Sequence, residues 1–286
     1  MIDSNNLDII IERSAEELSK CDFIKKPNSA LPNVEVLSDI VSLVASVIFP
    51  GYYGDNSTIE CAVKSRIIIN LSKIHNLLSD QIARTQKYEQ TTLRRDASLI
   101  AEEFVDSIVS IKKLLITDVE AIYQADPAAN SFGEVVFCYP SITAMIHYRI
   151  AHKLHQLGVP LIPRIISEIA HSKTGIDIHY EAKIGSYFAI DHGTGVVIGQ
   201  TCVIGDRVVI YQGVTLGAKG FRADENGNLI NEPRHPIIED DVKIYSNSSI
   251  LGRITIGKGS VIGGNTWIDK DVAPYSKITQ SRPRNF

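Results

Sequence analysis

The sequence has 286 residues, 44% of them hydrophobic, and 29 Lys and Arg against 33 Asp and Glu give a formal charge of −4. That length supports one large domain or two of ordinary size, each with a buried core. A mildly acidic chain without long like-charged runs argues against nucleic acid or a membrane surface as the main partner and favours a small soluble substrate.

The N-terminus is polar and acidic and lacks the basic segment and apolar core of a secretory signal, so the expected location is the cytoplasm. The longest apolar stretch, 34–49, is interrupted by Glu35, Ser38, Asp39, Ser42 and Ser46 and stopped by Pro50. It is too short and too polar to span a bilayer and reads as a buried helix. From about residue 7 to residue 172 apolar residues recur at helical spacing, as in Ile67, Leu71, Ile74 and Leu78, and again in Leu99, Phe104, Ile108, Ile111 and Leu115. Pro50-Gly51 ends one predicted helix, and Thr117-Asp118-Val119-Glu120 has the form of a capping box that marks a helix start. Asp126-Pro127-Ala128 forms a loop, and Gly158 with Pro160 stops a helix over about 140–157. Cys21, Cys61, Cys138 and Cys202 lie far apart with no CxxC spacing, which predicts reduced thiols rather than disulfides or a zinc site.

After Gly175 the period becomes six. Aliphatic residues fall at Ile178, Ile184 and Ile190, then Ile198, Ile204, Ile210 and Leu216, then Ile238, Ile244, Ile250, Ile256, Ile262 and Ile268. Four residues after most of them comes a small or β-branched residue: Ala182, Thr194, Cys202, Val208, Val214, Val242, Ser248, Ser260, Thr266 or Val272. A period of six is no helix face. It is the hexapeptide repeat of a parallel β-helix, in which three hexads make one triangular coil with the aliphatic side chain inside. The spacing resembles the left-handed form. The expected fold class is therefore α+β: a helical N-terminal domain over 1–174, to which the family resemblance named below assigns oligomerisation, a left-handed β-helix over 175–275, and a tail over 276–286. Cys202 falls at an inward small position, which assigns it to packing rather than to nucleophilic chemistry.

The repeat breaks twice. Between Ile190 and Ile198 the spacing is eight, around Asp191-His192-Gly193-Thr194-Gly195, and after Leu216 it stops until Ile238, so a loop over 217–236 leaves the coil and ends in Arg234-His235-Pro236. Loops leaving a rigid solenoid are where binding surfaces form. The polar residues at these breaks are Asp177, His179, Asp191, His192, Arg234 and His235. Asp177 lies fourteen residues before Asp191 and fifteen before His192, close to one coil, which predicts that neighbouring coils bring them together. A neutral imidazole can take a proton from an alcohol while a carboxylate on its other nitrogen fixes the tautomer. Three clustered histidines would also suit a metal, but the adjacent arginine opposes a cation, and none is expected.

The segments Gly175-Ile-Asp-Ile-His179, Ala182-Lys-Ile-Gly185, Ile190-Asp-His-Gly-Thr-Gly195, Val214-Thr-Leu-Gly217 and Arg234-His-Pro236 resemble the serine acetyltransferases, over about 126–268. The resemblance implies transfer of acetyl from acetyl-CoA to the L-serine hydroxyl, the first step of cysteine biosynthesis. In that reading His192 is the base and Asp177 orients it, while Asp126, Asp191, Arg234 and His235 bind the amino acid. Acetyl-CoA would lie along the groove between adjacent prisms of a trimer, touching Gly217, Ala218, Lys219, Ser246 and Gly264. The resemblance further implies a homotrimer or a dimer of trimers, and inhibition by L-cysteine. The chain ends in Arg284-Asn285-Phe286, where members that dock on O-acetylserine sulfhydrylase usually end in Ile, so that complex is not expected. The alternatives are another hydroxyl acceptor such as homoserine or a sugar, or a non-catalytic β-helical scaffold.

Overall fold

The computed structural model describes residues 4–20, 31–54, 60–89, 95–225, 227–230 and 232–280. Cys21 and the terminal Phe286, on which the sulfhydrylase expectation rests, lie outside the described residues. Among the described residues seven helices come first: α1 (Ser4–Ser19), α2 (Val34–Ile48), α3 (Glu60–Glu89), α4 (Ala97–Ala125), α5 (Phe132–Cys138), α6 (Pro140–Gln156) and α7 (Ile162–Thr174). Among the described residues no helix is long and apolar enough to cross a membrane.

The helices follow from spacing and caps. In α2 the residues at three- and four-residue intervals, Leu37, Ile40, Val41, Val44 and Ile48, are buried, and the Asn33 side chain caps the start by accepting the Val36 N–H. Asp96 caps α4 by accepting the Ser98 N–H at 2.7 Å, and Pro140 sits in the first turn of α6, where no N–H is needed. Gly175 closes α7 in the left-handed conformation, φ +69.

The helix start expected at Thr117 is not there, because α4 runs straight through it. The polar pair serves a different purpose. Asp118 is fully buried and accepts both the Arg149 guanidinium, Nε at 3.1 Å and Nη2 at 3.0 Å, and the Phe188 N–H at 3.2 Å. Thr117 Oγ1 accepts the Tyr187 N–H at 3.1 Å. A capping-box pattern in mid-helix here marks the place where α4 docks on the coil.

The coil that follows is a parallel β-solenoid with three faces. The first face stacks β1 (Asp177–Ile178), β4 (Val197–Ile198), β7 (Thr215–Gly217), β10 (Ser249–Leu251) and β13 (Trp267–Ile268). The second stacks β2 (Lys183–Ile184), β5 (Val203–Ile204), β8 (Ile237–Ile238) and β11 (Thr255–Ile256). The third stacks β3 (Ala189–Asp191), β6 (Val209–Tyr211), β9 (Lys243–Ile244), β12 (Val261–Ile262) and β14 (Lys277–Ile278). β14 pairs with β12 and carries the sheet a little beyond the end expected at residue 275.

Every aliphatic position of the six-residue repeat is buried. Of the small-residue positions, Thr194 departs: it is exposed, and Val196 points inward instead, because the inserted residues shift the phase there. Phe188, a large residue at a small-residue position of the first coil, is also fully buried; α4 packs on β3 at this end. Helices and coil share one hydrophobic core. At the junction Tyr148 Oη donates to the Ala182 carbonyl at 2.6 Å, and Arg149 donates to those of Ile184 at 2.7 Å and Gly185 at 2.6 Å. The helices thus saturate carbonyls of the first coil that have no coil beneath them.

Candidate active site

At the corner between the third and first faces, backbone hydrogen bonds climb the stack. Gly195 N–H donates to Gly175 O, Gly213 N–H to Thr194 O, Asn247 N–H to Gln212 O and Asn265 N–H to Ser246 O, at 2.8–3.0 Å. Each of these donors has positive φ. His192 and Gly193 add two further positive values, +56 and +88, outside the ladder. They are the inserted residues. The Gly193 N–H closes a tight turn onto Asp191 O at 2.7 Å, and a Cβ on Gly193 would lie 2.5 Å from Ile176 Cδ1. Left-handed backbone costs a non-glycine residue roughly 1–2 kcal/mol, so the fold spends stability to hold His192 on the exposed outside of this corner.

Asp177 lies on the same corner one coil earlier. Its N–H donates to Val196 O, and its side chain faces outward between the buried Ile176 and Ile178. Among the described residues no hydrogen bond joins Asp177 to His192. Contacts of this kind commonly tighten only when substrate is present.

The helical layer contributes Asp126, the residue that ends α4. Its Oδ2 accepts the Tyr139 hydroxyl at 2.5 Å and its Oδ1 accepts the Ala128 N–H at 2.8 Å. The Tyr139 hydrogen bond, helped by the Ala128 N–H, holds the Asp126 carboxyl below the usual carboxylate range. The same bond pushes the Tyr139 phenol up to about 12. Asp191 ends β3 beside Tyr211, which stacks on Tyr245 with ring centres 5.0 Å apart. The His192 and Asp126 charges act on each other, and that of Asp191 reaches both Tyr139 and Tyr211. Two carboxylates and an imidazole thus lie near one another at this corner. No lysine or arginine pairs with Asp126 or Asp191 among the described residues, which leaves a site suited to an ammonium group.

Arg234 and His235 lie elsewhere, at the corner between the first and second faces where the extruded loop returns. Thr201 pins them: its Oγ1 accepts the N–H groups of Arg234 at 2.9 Å and His235 at 3.0 Å, and its own N–H donates to His235 Nδ1 at 3.1 Å. The ring packs where Gly199 has no side chain, since a Cβ there would sit 2.0 Å from His235 Cδ2. Burial, reinforced by the Arg234 charge, pushes the His235 imidazole down to about 4. It is neutral near pH 7, and with Nδ1 accepting, the proton is assigned to Nε2. Arg234 donates to Gln200 Oε1 at 2.7 Å and lies over the Phe221 ring, while its buried Nε has no partner among the described residues. Gln200 is held in turn by Glu181 at 3.0 Å, and His179 stacks on Tyr180.

The residues expected to meet acetyl-CoA divide in the same way. Gly217 ends β7, and Ala218 and Lys219 follow it at the second corner, where Lys219 is paired with Asp269 at 2.8 Å. Ser246 and Gly264 stack on each other at the first corner. Within one chain, then, both sets of candidate residues are split between the two edges of the first face. The outer row of that face, Asp177, Val197, Thr215, Ser249 and Trp267, runs between them. A cavity of about 660 Å³ among α2, α3, α6 and α7 holds none of these residues. Among the described residues no three His, Cys, Asp or Glu side chains gather as a metal site. Sequence reasoning missed Tyr139, Thr201 and Gln200 as parts of the two clusters.

Residues 235–270 match the family model described as bacterial transferase hexapeptide (six repeats). Coil and match together define a hexapeptide-repeat transferase. A plasmid-encoded serine acetyltransferase of Synechococcus elongatus is 50% identical over 266 residues, covering 89% of this chain and 83% of that protein. The solved serine acetyltransferase 1 of Entamoeba histolytica in complex with L-cysteine is 33% identical, with a TM-score of 0.75 over 93% of this chain and 94% of that one. A serine acetyltransferase of Brucella abortus in complex with coenzyme A is 26% identical, with a TM-score of 0.58 over 86% and 93% of the two chains. The chain belongs to the serine acetyltransferase family, as its motifs had suggested.

Proposed function

We infer that this chain is a serine O-acetyltransferase that uses His192 as its general base. The observation that carries the reading is the corner where Asp126 and Asp191, neither paired with a lysine or arginine among the described residues, lie near an imidazole projected by an inserted turn. The carboxylates hold the ammonium of serine and aim its hydroxyl at His192, with Asp177 steadying the ring. His192 takes the hydroxyl proton as the serine oxygen attacks the thioester carbon of acetyl-CoA, backbone N–H groups donate to the oxyanion, and the C–S bond breaks. The proton passes to the departing CoA thiolate, giving O-acetylserine and CoA with no covalent enzyme intermediate. Cys202 takes no part, since burial pushes its thiol up to about 12.

Arg234, through its guanidinium fork, binds the serine carboxylate and His235 lies beside it. Because these stand on the edge opposite His192, the site is completed between adjacent copies in a trimer, one giving the His192 edge and its neighbour the Arg234 edge. The matching division of Gly217, Ala218 and Lys219 from Ser246 and Gly264 supports this reading, in which acetyl-CoA lies along the same groove. L-cysteine has the same ammonium and carboxylate as serine and would compete for the same groups; the Entamoeba histolytica relative was solved with it.

The test is CoA release from acetyl-CoA by the purified protein with serine, homoserine and sugars as acceptors. Serine should be strongly preferred. His192→Ala should lower kcat by about 10²–10⁴-fold, with CoA affinity by calorimetry unchanged. Undiminished turnover in that variant would remove His192 from the mechanism.

A further inference from the structure

We propose that Tyr139 is a positioning residue for serine, its hydroxyl fixing the Asp126 carboxylate in the one orientation that receives the substrate ammonium. The proposal rests on the reading of Asp126 as an ammonium ligand and concerns a group that does not itself touch substrate.

Asp126 is poorly placed to do its work unaided. It caps the C-terminal end of a 29-residue helix, the negative end of the helix dipole, where a carboxylate is disfavoured. Asp191 adds a second negative charge nearby, and the loop that follows, Pro127 and Ala128, is exposed. Left to itself, such a side chain would turn between rotamers and resist ionisation. Tyr139 answers both problems. Its hydroxyl donates to Oδ2 at 2.5 Å while the Ala128 N–H donates to Oδ1 at 2.8 Å, one donor on each oxygen. Every carboxylate oxygen accepts two hydrogen bonds, so one position on each remains for an ammonium.

The anchor itself is rigid. The Tyr139 ring packs on the hydrophobic core, its N–H donates to Val135 O, and Pro140 holds its backbone extended, φ −82 and ψ 122. The phenol is thus a fixed post between α5 and α6, and Asp126 is tied to it across thirteen residues of sequence.

Tyr139→Phe keeps the ring and removes only the donor. The expected result is a serine KM raised about tenfold, with kcat at saturating serine within about twofold and an unchanged KM for acetyl-CoA. In serine binding by calorimetry to His192→Ala protein, where the base no longer sets the acid limb, the acid-side loss of affinity should also move to higher pH, because a carboxylate that loses its phenol donor titrates closer to its ordinary value. A purely structural tie would alter melting temperature without moving that loss. In an Asp126→Asn background the same substitution should add nothing to the serine KM. A wild-type serine KM and an unmoved acid-side loss of affinity with Tyr139→Phe, or an equal loss in both backgrounds, overturns the proposal while leaving Asp126 as a ligand. An Asp126→Asn variant with unaltered serine KM removes the ligand and the proposal together.

Discussion

His192 stands where it does because of the residue behind it. Gly193 has φ +88, and its missing Cβ is what allows Ile176 to pack underneath. Gly193→Ala forces a side chain into that contact and into disfavoured backbone at once. We expect a stability loss of about 1–3 kcal/mol in urea titration, with kcat falling more than about tenfold as the imidazole moves away from its target. Legibility at this scale differed from residue to residue. His192, Asp191 and Asp177 could be found because they interrupt or border a strict repeat. Tyr139 could not, since an aromatic before a proline at a helix start reads as ordinary packing, and its partner Asp126 is distant in sequence. Thr201 occupies a regular corner of the repeat, so nothing in its spacing announces that it clamps Arg234 and His235.

At the scale of elements, periodicity was a sufficient guide to the coil and to most helix ends, and it failed where tertiary contact overrides local pattern. Thr117-Asp118 has the composition of a cap, yet both residues are consumed by the coil, and only Arg149 and the N–H groups of Tyr187 and Phe188 explain them. The phase shift that exposes Thr194 and buries Val196 is a similar case: the insertion was visible, but the turn that absorbs it decides which residue points inward. The Arg149–Asp118 pair is almost wholly shielded from water, with side-chain exposures of 4% and 0%. Arg149→Met would strand a buried carboxylate and free two carbonyls of the first coil. A loss of about 3–5 kcal/mol is expected, read as a lowered urea midpoint, with the coil and helices no longer unfolding together.

At the scale of the whole molecule, the division of the candidate residues between two edges has a consequence that a single chain cannot display. If neighbouring copies share each site, a His192→Ala chain and an Arg234→Ala chain, each inactive alone, should restore one another when refolded together. Three-quarters of randomly mixed trimers contain both chains, and each mixed ring has one interface in three with both wild-type groups. Activity should therefore return to about a quarter of wild type, whereas a site contained in one chain would give none. A contact between copies is not legible in the repeat, which specifies inward side chains and leaves the outer rows unconstrained. The closed end of the coil limits assembly in another respect. A bare rung of parallel strands is a template on which a second molecule can continue the stack. With the carbonyls of Ala182, Ile184 and Gly185 already occupied by Tyr148 and Arg149, that end offers no seed for head-to-tail fibres, and growth by polymerisation is blocked while sideways association stays open.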